Sequence, residues 1–193
     1  PVKETSKINI QNTYDLLKLL SENILVNSNN KYLNYQILRL SNVYGSSFSR
    51  KKQNNRQIIS KVLKYCIKNK EIKILGSGNY YRDYVHVSDV CEAILKIVKM
   101  HKSNINQIYN IGSGKKIKLI HLFKSISKKV EKKINKKITL KYVKIIDNND
   151  QSIKRNYQSN IKKAKIYLNW IPKINLDKGI ESLINFINEK NKR

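Results

Sequence analysis

A chain of 193 residues, 40% apolar and 27% charged, can bury one real core, which excludes both wholesale disorder and two large domains. Its net charge of +27 is carried by 34 Lys against six Arg, in company with 25 Asn and 29 Ile; these three abundant residues share A/T-rich codons, so nucleotide bias explains the charge better than a nucleic-acid or anionic-membrane partner does. No apolar run reaches the roughly 18 to 20 residues of a membrane span, and Cys66 and Cys91 lie without a CxxC motif, so a soluble, cytoplasmic protein with no membrane contact, disulfide framework or zinc site is expected.

In chain order, helical and strand patterns alternate, which predicts an α/β layer structure with mostly parallel strands. Tyr14 to about Asn29 reads as a helix with apolar Leu16, Leu17, Leu20, Ile24 and Leu25, closed by Asn27-Ser-Asn-Asn30. Tyr35 to Leu40 suits a buried strand, after which Asn42-Val-Tyr-Gly45 and two serines turn the chain outward. Helical period returns from about Gln57 to Lys68; Ile72 to Leu75 and Tyr84 to Val87 are strand candidates. Ser88 or Asp89 is expected to cap a helix from Val90 to about Met100, because a short oxygen-bearing side chain can accept from the unpaired first-turn amides.

Ile108 to Ile111 reads as the next strand, stopped by Gly112-Ser-Gly114. Lys115 to Lys144 holds twelve lysines and the single acid Glu131. Lys124, Lys128 and Lys132 fall one helical turn apart, opposite Ile117, Ile120, Phe123, Ile126 and Val130. That is a solvated helix face more than a nucleic-acid surface. A strand from Ile138 to Val143, a polar stretch from Asn148 to Gln158, a short helix ending near Leu168 and a last helix from Leu176 to Ile187 complete the reading. Trp170, Pro172, Tyr109 and Phe186 are assigned to packing, and Gly112 and Gly114 to a turn.

Five patterns stand in order: Tyr14-Asp-Leu-Leu-Lys18; Leu38-Arg-Leu-Ser-Asn42-Val-Tyr-Gly45; Gly76-Ser-Gly78 leading to Arg82-Asp-Tyr-Val-His-Val-Ser-Asp89; Tyr109-Asn-Ile-Gly112-Ser-Gly; and Leu168-Asn-Trp-Ile-Pro172. Together they resemble the extended short-chain dehydrogenase/reductase family, the NAD-dependent nucleotide-sugar epimerases and dehydratases. The resemblance implies the C-terminal part of a Rossmann-type doubly wound parallel sheet (about 1–50 and 80–115), interleaved with a small α/β substrate-binding lobe (about 51–79 and 116–193). The family's glycine-rich GxxGxxG turn and the Ser/Thr before its catalytic Tyr are not among these residues. In the family both lie upstream, so the chain is expected to be a C-terminal portion whose NAD site another half completes.

Tyr14 and Lys18 are one helical turn apart, and a cation beside a phenol favours the phenolate. The resemblance gives them the family's catalytic and cofactor-binding roles: Tyr14 takes a sugar hydroxyl proton and Lys18 holds the nicotinamide ribose of NAD. It places Asn42 near the sugar diphosphate and Arg82 on the nucleotide's phosphate or ribose. Arg82 could instead pair with Asp83 or Asp89, and Asp89 itself is read first as a helix cap. Arg155-Asn-Tyr157 resembles an Arg-Arg-Tyr segment of the dehydratases, which makes Arg155 a phosphate ligand. The implied partners are a nucleotide sugar and, for the full-length enzyme, a second copy docked through the helix of Tyr14. Two competing readings are a non-catalytic remnant or substrate-binding module, and a lysine-rich nucleic-acid binder.

Overall fold

A computed structural model describes residues 1–28, 34–46, 57–100, 106–144 and 155–190. The expected Asn29-Asn30 terminator, the turn at Ser47 and the polar residues 148–154 lie outside them. Six helices and seven strands alternate among the described residues: α1 (Thr13–Asn27), β1 (Gln36–Leu40), β2 (Asn42–Tyr44), α2 (Ile58–Asn69), β3 (Glu71–Leu75), β4 (Tyr81–His86), α3 (Val87–Val98), β5 (Gln107–Ile111), β6 (Lys116–Lys118), α4 (Leu119–Ile134), β7 (Thr139–Val143), α5 (Lys162–Tyr167) and α6 (Leu176–Lys190). The α/β expectation holds, and three of the strand pairings are parallel: β1 with β5, β2 with β4, and β3 with β7. The fourth, β4 with β6, is antiparallel, with Tyr81 opposite Lys118 and Asp83 opposite Lys116.

Two apolar clusters hold these elements. In the first, Ile59, Leu63 and Cys66 of α2 meet Leu122, Ile126 and Val130 of α4, Ile180, Leu183 and Ile184 of α6, and the inward Ile72 and Ile74 of β3. On α4 the lysine spacing behaves as its period demands, with Lys124, Lys128 and Lys132 exposed opposite the buried stripe. Burying a Leu or Ile side chain is worth about 1.5 to 3 kcal/mol, so this face holds the helix. Burial inside the cluster also pushes the Cys66 thiol up to about 11, whereas Cys91 is exposed.

The second cluster joins Val85, Val90 and Ala93 to Tyr109 and Ile111 of β5 and to Ala164, Leu168 and Trp170. Tyr109 and Trp170 are fully buried, in keeping with a packing role. The indole N–H of Trp170 donates to the carbonyl of Asp89 at 2.9 Å. Helix α5 and Trp170 thus pack on the β5 side, although they fall in the stretch assigned by sequence to the lobe.

Helix α3 starts three residues earlier than the sequence predicts, and its cap differs. His86 is the N-cap: its Nδ1 accepts from the Ser88 amide at 3.2 Å. The buried Asp89 carboxylate faces another segment and accepts the Lys173 and Ile174 amides at 2.9 and 3.1 Å. An acid in the first turn suits the helix dipole, but this one fastens the Trp170–Ile174 turn instead of capping its own helix.

Candidate functional site

Helix α1 begins at an Asn12 cap, whose Oδ1 accepts from the Asp15 amide at 2.9 Å. None of its residues is buried. Its half-covered positions are Asp15, Leu19 and Glu22, spaced i, i+4 and i+7, so the inward stripe carries two acids. Each acid meets an arginine from elsewhere. Glu22 takes a two-pronged ion pair from Arg39 of β1, and the third arm of Arg39 donates to the Glu4 carbonyl at 2.7 Å. Asp15 Oδ2 accepts from Arg155 Nη2 at 2.6 Å and from the Gln11 amide at 3.1 Å. The hydrogen bond from Arg155 holds the Asp15 carboxyl below its usual range, against the opposing effect of burial.

Tyr14 stands on the outer side of α1, 67% exposed, and Lys18 Nζ lies 5.6 Å from the centre of its ring. The pair is therefore together, one turn apart, as the spacing requires. Lys18 also lines a groove of about 650 Å³ with Gln11, Asp15, Arg39, Arg155 and Tyr157. Burial raises the Tyr157 phenol above its ordinary value.

Asn42 opens β2, and its side-chain amide donates to the Asp83 carbonyl of the adjacent β4 at 3.0 Å. On β4, Arg82 is half-buried and donates to its neighbour's carbonyl, Tyr81 O, at 3.0 Å. Burial is the main cause lowering its pKa, and the positive charge of Arg155 adds to the effect. Two guanidinium groups in a half-covered place form a surface suited to an anion. Arg155 is further held by Gln11, whose Oε1 accepts from its Nε at 2.9 Å.

The Asp83 carboxylate, fully buried, does not turn toward Arg82. It accepts from Ser113 N at 2.8 Å, Ser113 Oγ at 2.6 Å, Gly114 N at 3.1 Å and Ser159 N at 3.0 Å. Sequence reasoning named Asp83 only as a salt-bridge partner, and passed over Gln11, Asp15, Ser113 and Ser159. Its one available signal was the acid directly after Arg82, ahead of a Gly-Ser-Gly turn.

NAD can be tested against these residues. At the carboxyl end of β1, the buried Ser41 hydroxyl has no hydrogen-bond partner among the described residues, and open α/β sheets gather ligands at that end of the strands. Lys18 in the groove and the Ser41 hydroxyl are polar groups suited to the hydroxyls of a dinucleotide. A glycine-rich turn for its phosphates is not in the sequence. Among the described residues no cluster of His, Cys, Asp and Glu could hold a metal ion, and no helix is long and apolar enough to cross a membrane.

Comparison with known proteins identifies the family. The sequence pattern of the NAD dependent epimerase/dehydratase family matches residues 1–112, and the chain belongs to that family. A curated relative, a putative UDP-glucose 4-epimerase from Methanocaldococcus jannaschii, is 33% identical over 193 residues, all of this chain and 58% of that protein. The dTDP-D-glucose 4,6-dehydratase of Homo sapiens is 30% identical over 164 residues, 80% of this chain and 43% of the enzyme. Among solved structures, a UDP-glucose 4-epimerase from Thermotoga maritima with UDP-glucose superposes with a TM-score of 0.82 at 26% identity, over 99% of this chain and 58% of the other. The chain thus covers between 43% and 58% of the length of these proteins, and its fold is the Rossmann-type α/β fold that they share.

Proposed function

We propose that this chain supplies the proton-transfer pair and the diphosphate ligands of an NAD-dependent epimerase or dehydratase acting on a nucleoside-diphosphate sugar. The observation that carries the reading is the tie between Asp15, next to Tyr14, and Arg155. It brings the helix of the Tyr-Lys pair and a cationic segment to one groove, lined by both Lys18 and Arg155. Relatives named for UDP-glucose and dTDP-glucose support the substrate class.

In this reading Arg82 and Arg155 bind the diphosphate, a role suited to planar guanidinium donors. Asn42, fixed by β4, presents its remaining polar atoms toward the sugar. Tyr14 takes the proton of a sugar hydroxyl and later returns it, and Lys18 holds the ribose hydroxyls of the cofactor. Bound NAD would accept the hydride from the oxidised sugar carbon and give it back. In the proposed division α1, β1, β4 and β5 belong to the Rossmann part and the segment of Arg155 to the lobe, so the two arginines approach the diphosphate from the two parts.

The experiment is incubation of the protein with NAD and either UDP-glucose or dTDP-glucose, followed by chromatography of the products. The reading expects a 4-epimer or a 4-keto-6-deoxy sugar when the half that carries the glycine-rich NAD turn is supplied with the chain, abolished by Tyr14→Phe. A second reading is favoured by the missing GxxGxxG turn: the chain alone binds the nucleotide sugar but not NAD. Saturable binding of the sugar nucleotide with neither NAD binding nor turnover would select it. Binding of neither would overturn both.

A further inference from the structure

The geometry points to Asp83 as the positioning residue of the two-arginine site, a role that rests on the diphosphate reading of Arg82 and Arg155. Asp83 follows Arg82 on β4, and its buried carboxylate takes four hydrogen bonds from two separate segments, the turn at Ser113–Gly114 and the chain at Ser159. Ser159 lies four residues beyond Arg155. One carboxylate therefore fixes the main chain on both sides of the anion surface: the strand that bears Arg82 directly, and the segment that bears Arg155 through Ser159.

Three further observations make this a rigid coupling. Two more bonds zip that segment to β4, from the Tyr157 amide to the Tyr81 carbonyl at 3.1 Å and from the Tyr81 amide to Asn156 Oδ1 at 2.8 Å. The approach is too close for a side chain at Gly112. A Cβ there would meet the Ser159 hydroxyl, with Ser159 Cβ at 2.8 Å and Asp83 Oδ2 at 2.9 Å. Bonds to an ionised acceptor are also shorter and stronger than neutral ones, so four of them in a buried place set a spacing that tolerates little drift. Two guanidinium groups can share one diphosphate only if that spacing is kept.

The role can be separated from simple support of the fold. NMR titration of the protein with UDP and with uridine, at about 0.3 M salt so that the diffuse lysine field is screened, gives the factor by which the diphosphate raises affinity. The variants are Asp83→Asn and the milder Ser113→Ala, which removes the hydroxyl that donates to Asp83 and accepts from the Lys115 amide, leaves the three amide donors to Asp83, and keeps the fold if the other does not. We expect the UDP-over-uridine ratio to fall about tenfold in Asp83→Asn and about threefold in Ser113→Ala, given the strength of charge-assisted bonds. Uridine affinity should stay within about twofold, and the Arg155 Nε–H resonance should move, since a lost tether alters the guanidinium it positions. A full wild-type ratio in folded variants overturns the positioning role and leaves the diphosphate reading intact. A wild-type protein that binds UDP no better than uridine overturns both. If UDP and uridine weaken together while the Arg155 resonance stays in place, Asp83 only supports the fold and the proposal fails.

Discussion

Helix α1 has 15 residues and buries none of them, whereas the 16-residue α4 buries a stripe running from Leu119 to Val130. Both carry enough apolar residues for a core-facing stripe. On α4 those residues face α2, α6 and β3; Lys124, Lys128, Lys132 and Lys133 face out, and Lys129 pairs with Glu181 and Asp177 of α6 at the rim of that contact. On α1 the order is reversed: Leu16, Leu17, Leu20 and Ile24 are exposed, and the inward side is held by ion pairs of Asp15 and Glu22. A helix fastened mainly by burial responds only weakly to pH and to the screening of charges. One fastened by two arginines is sensitive to both, and the one so fastened here is the helix of the Tyr-Lys pair.

The sharpest way to break this contrast is truncation of one leucine on each helix. Leu122→Ala on α4 is expected to cost about 2 to 5 kcal/mol through lost transfer energy and a cavity, while Leu20→Ala on α1 stays within about 0.5 kcal/mol. Urea denaturation measures both, and equal costs would mean that α1 is buried after all. Next in size is Gly179→Ala. A Cβ at that point on α6 would meet the Tyr44 hydroxyl and lie 2.8 Å from two of its ring carbons, so overpacking should cost about 1 to 3 kcal/mol. Because Gly179 packs against Tyr44 of the first cluster, its amide-exchange signature should appear in α4 and α6 and spare α1.

Smaller in total but confined to α1 is Arg39→Ala. Removing the bonds to Glu22 and the Glu4 carbonyl should release about 1 to 3 kcal/mol of local tethering. Hydrogen exchange of the α1 amides should then accelerate while α4 keeps its protection. A uniform loss of protection would show that the two helices share one cooperative unit. Smallest is the titration of Asp15. Its carboxyl is held below 3.8 by Arg155, so its stabilisation is complete above the unfolded value and is lost as pH falls through the lower folded one. The midpoint of thermal unfolding should therefore drop across that acid window in the wild-type protein and drop less in Asp15→Asn. Parallel curves would remove Asp15 from the tether.

Much of the fold could be read from periodicity because burial drives it. The α4 stripe, the β3 alternation of Ile72 and Ile74, and the packing of Trp170 and Tyr109 are local consequences of apolar spacing. Strand β6 escaped notice since Lys-Ile-Lys is too short to show a period, and it exists because it pairs with Tyr81 to Asp83. The cap of α3 was misassigned for a related reason: Asp89 has the right chemistry at the right place, yet its partners lie more than 80 residues away. The site divides in the same manner. Tyr14 and Lys18 are joined by helical spacing alone, but nothing near Arg155 in the sequence announces Gln11 and Asp15, which are 144 and 140 residues distant.

The hub at Asp83 has a consequence for the order in which the protein folds. Its carboxylate joins residues 30 and 76 positions apart, and closing loops of that length costs entropy before any contact rewards it. The helices of the first cluster lie just as far apart in sequence but bury a broad apolar surface when they meet, whereas the clasp between β4 and Ser159 brings only hydrogen bonds and should close after the rate-limiting step. Substitutions at Asp83, Ser113 or Ser159 would then hasten unfolding while leaving refolding rates almost untouched. The anion surface would be the last part of the molecule to assemble and the first to come apart.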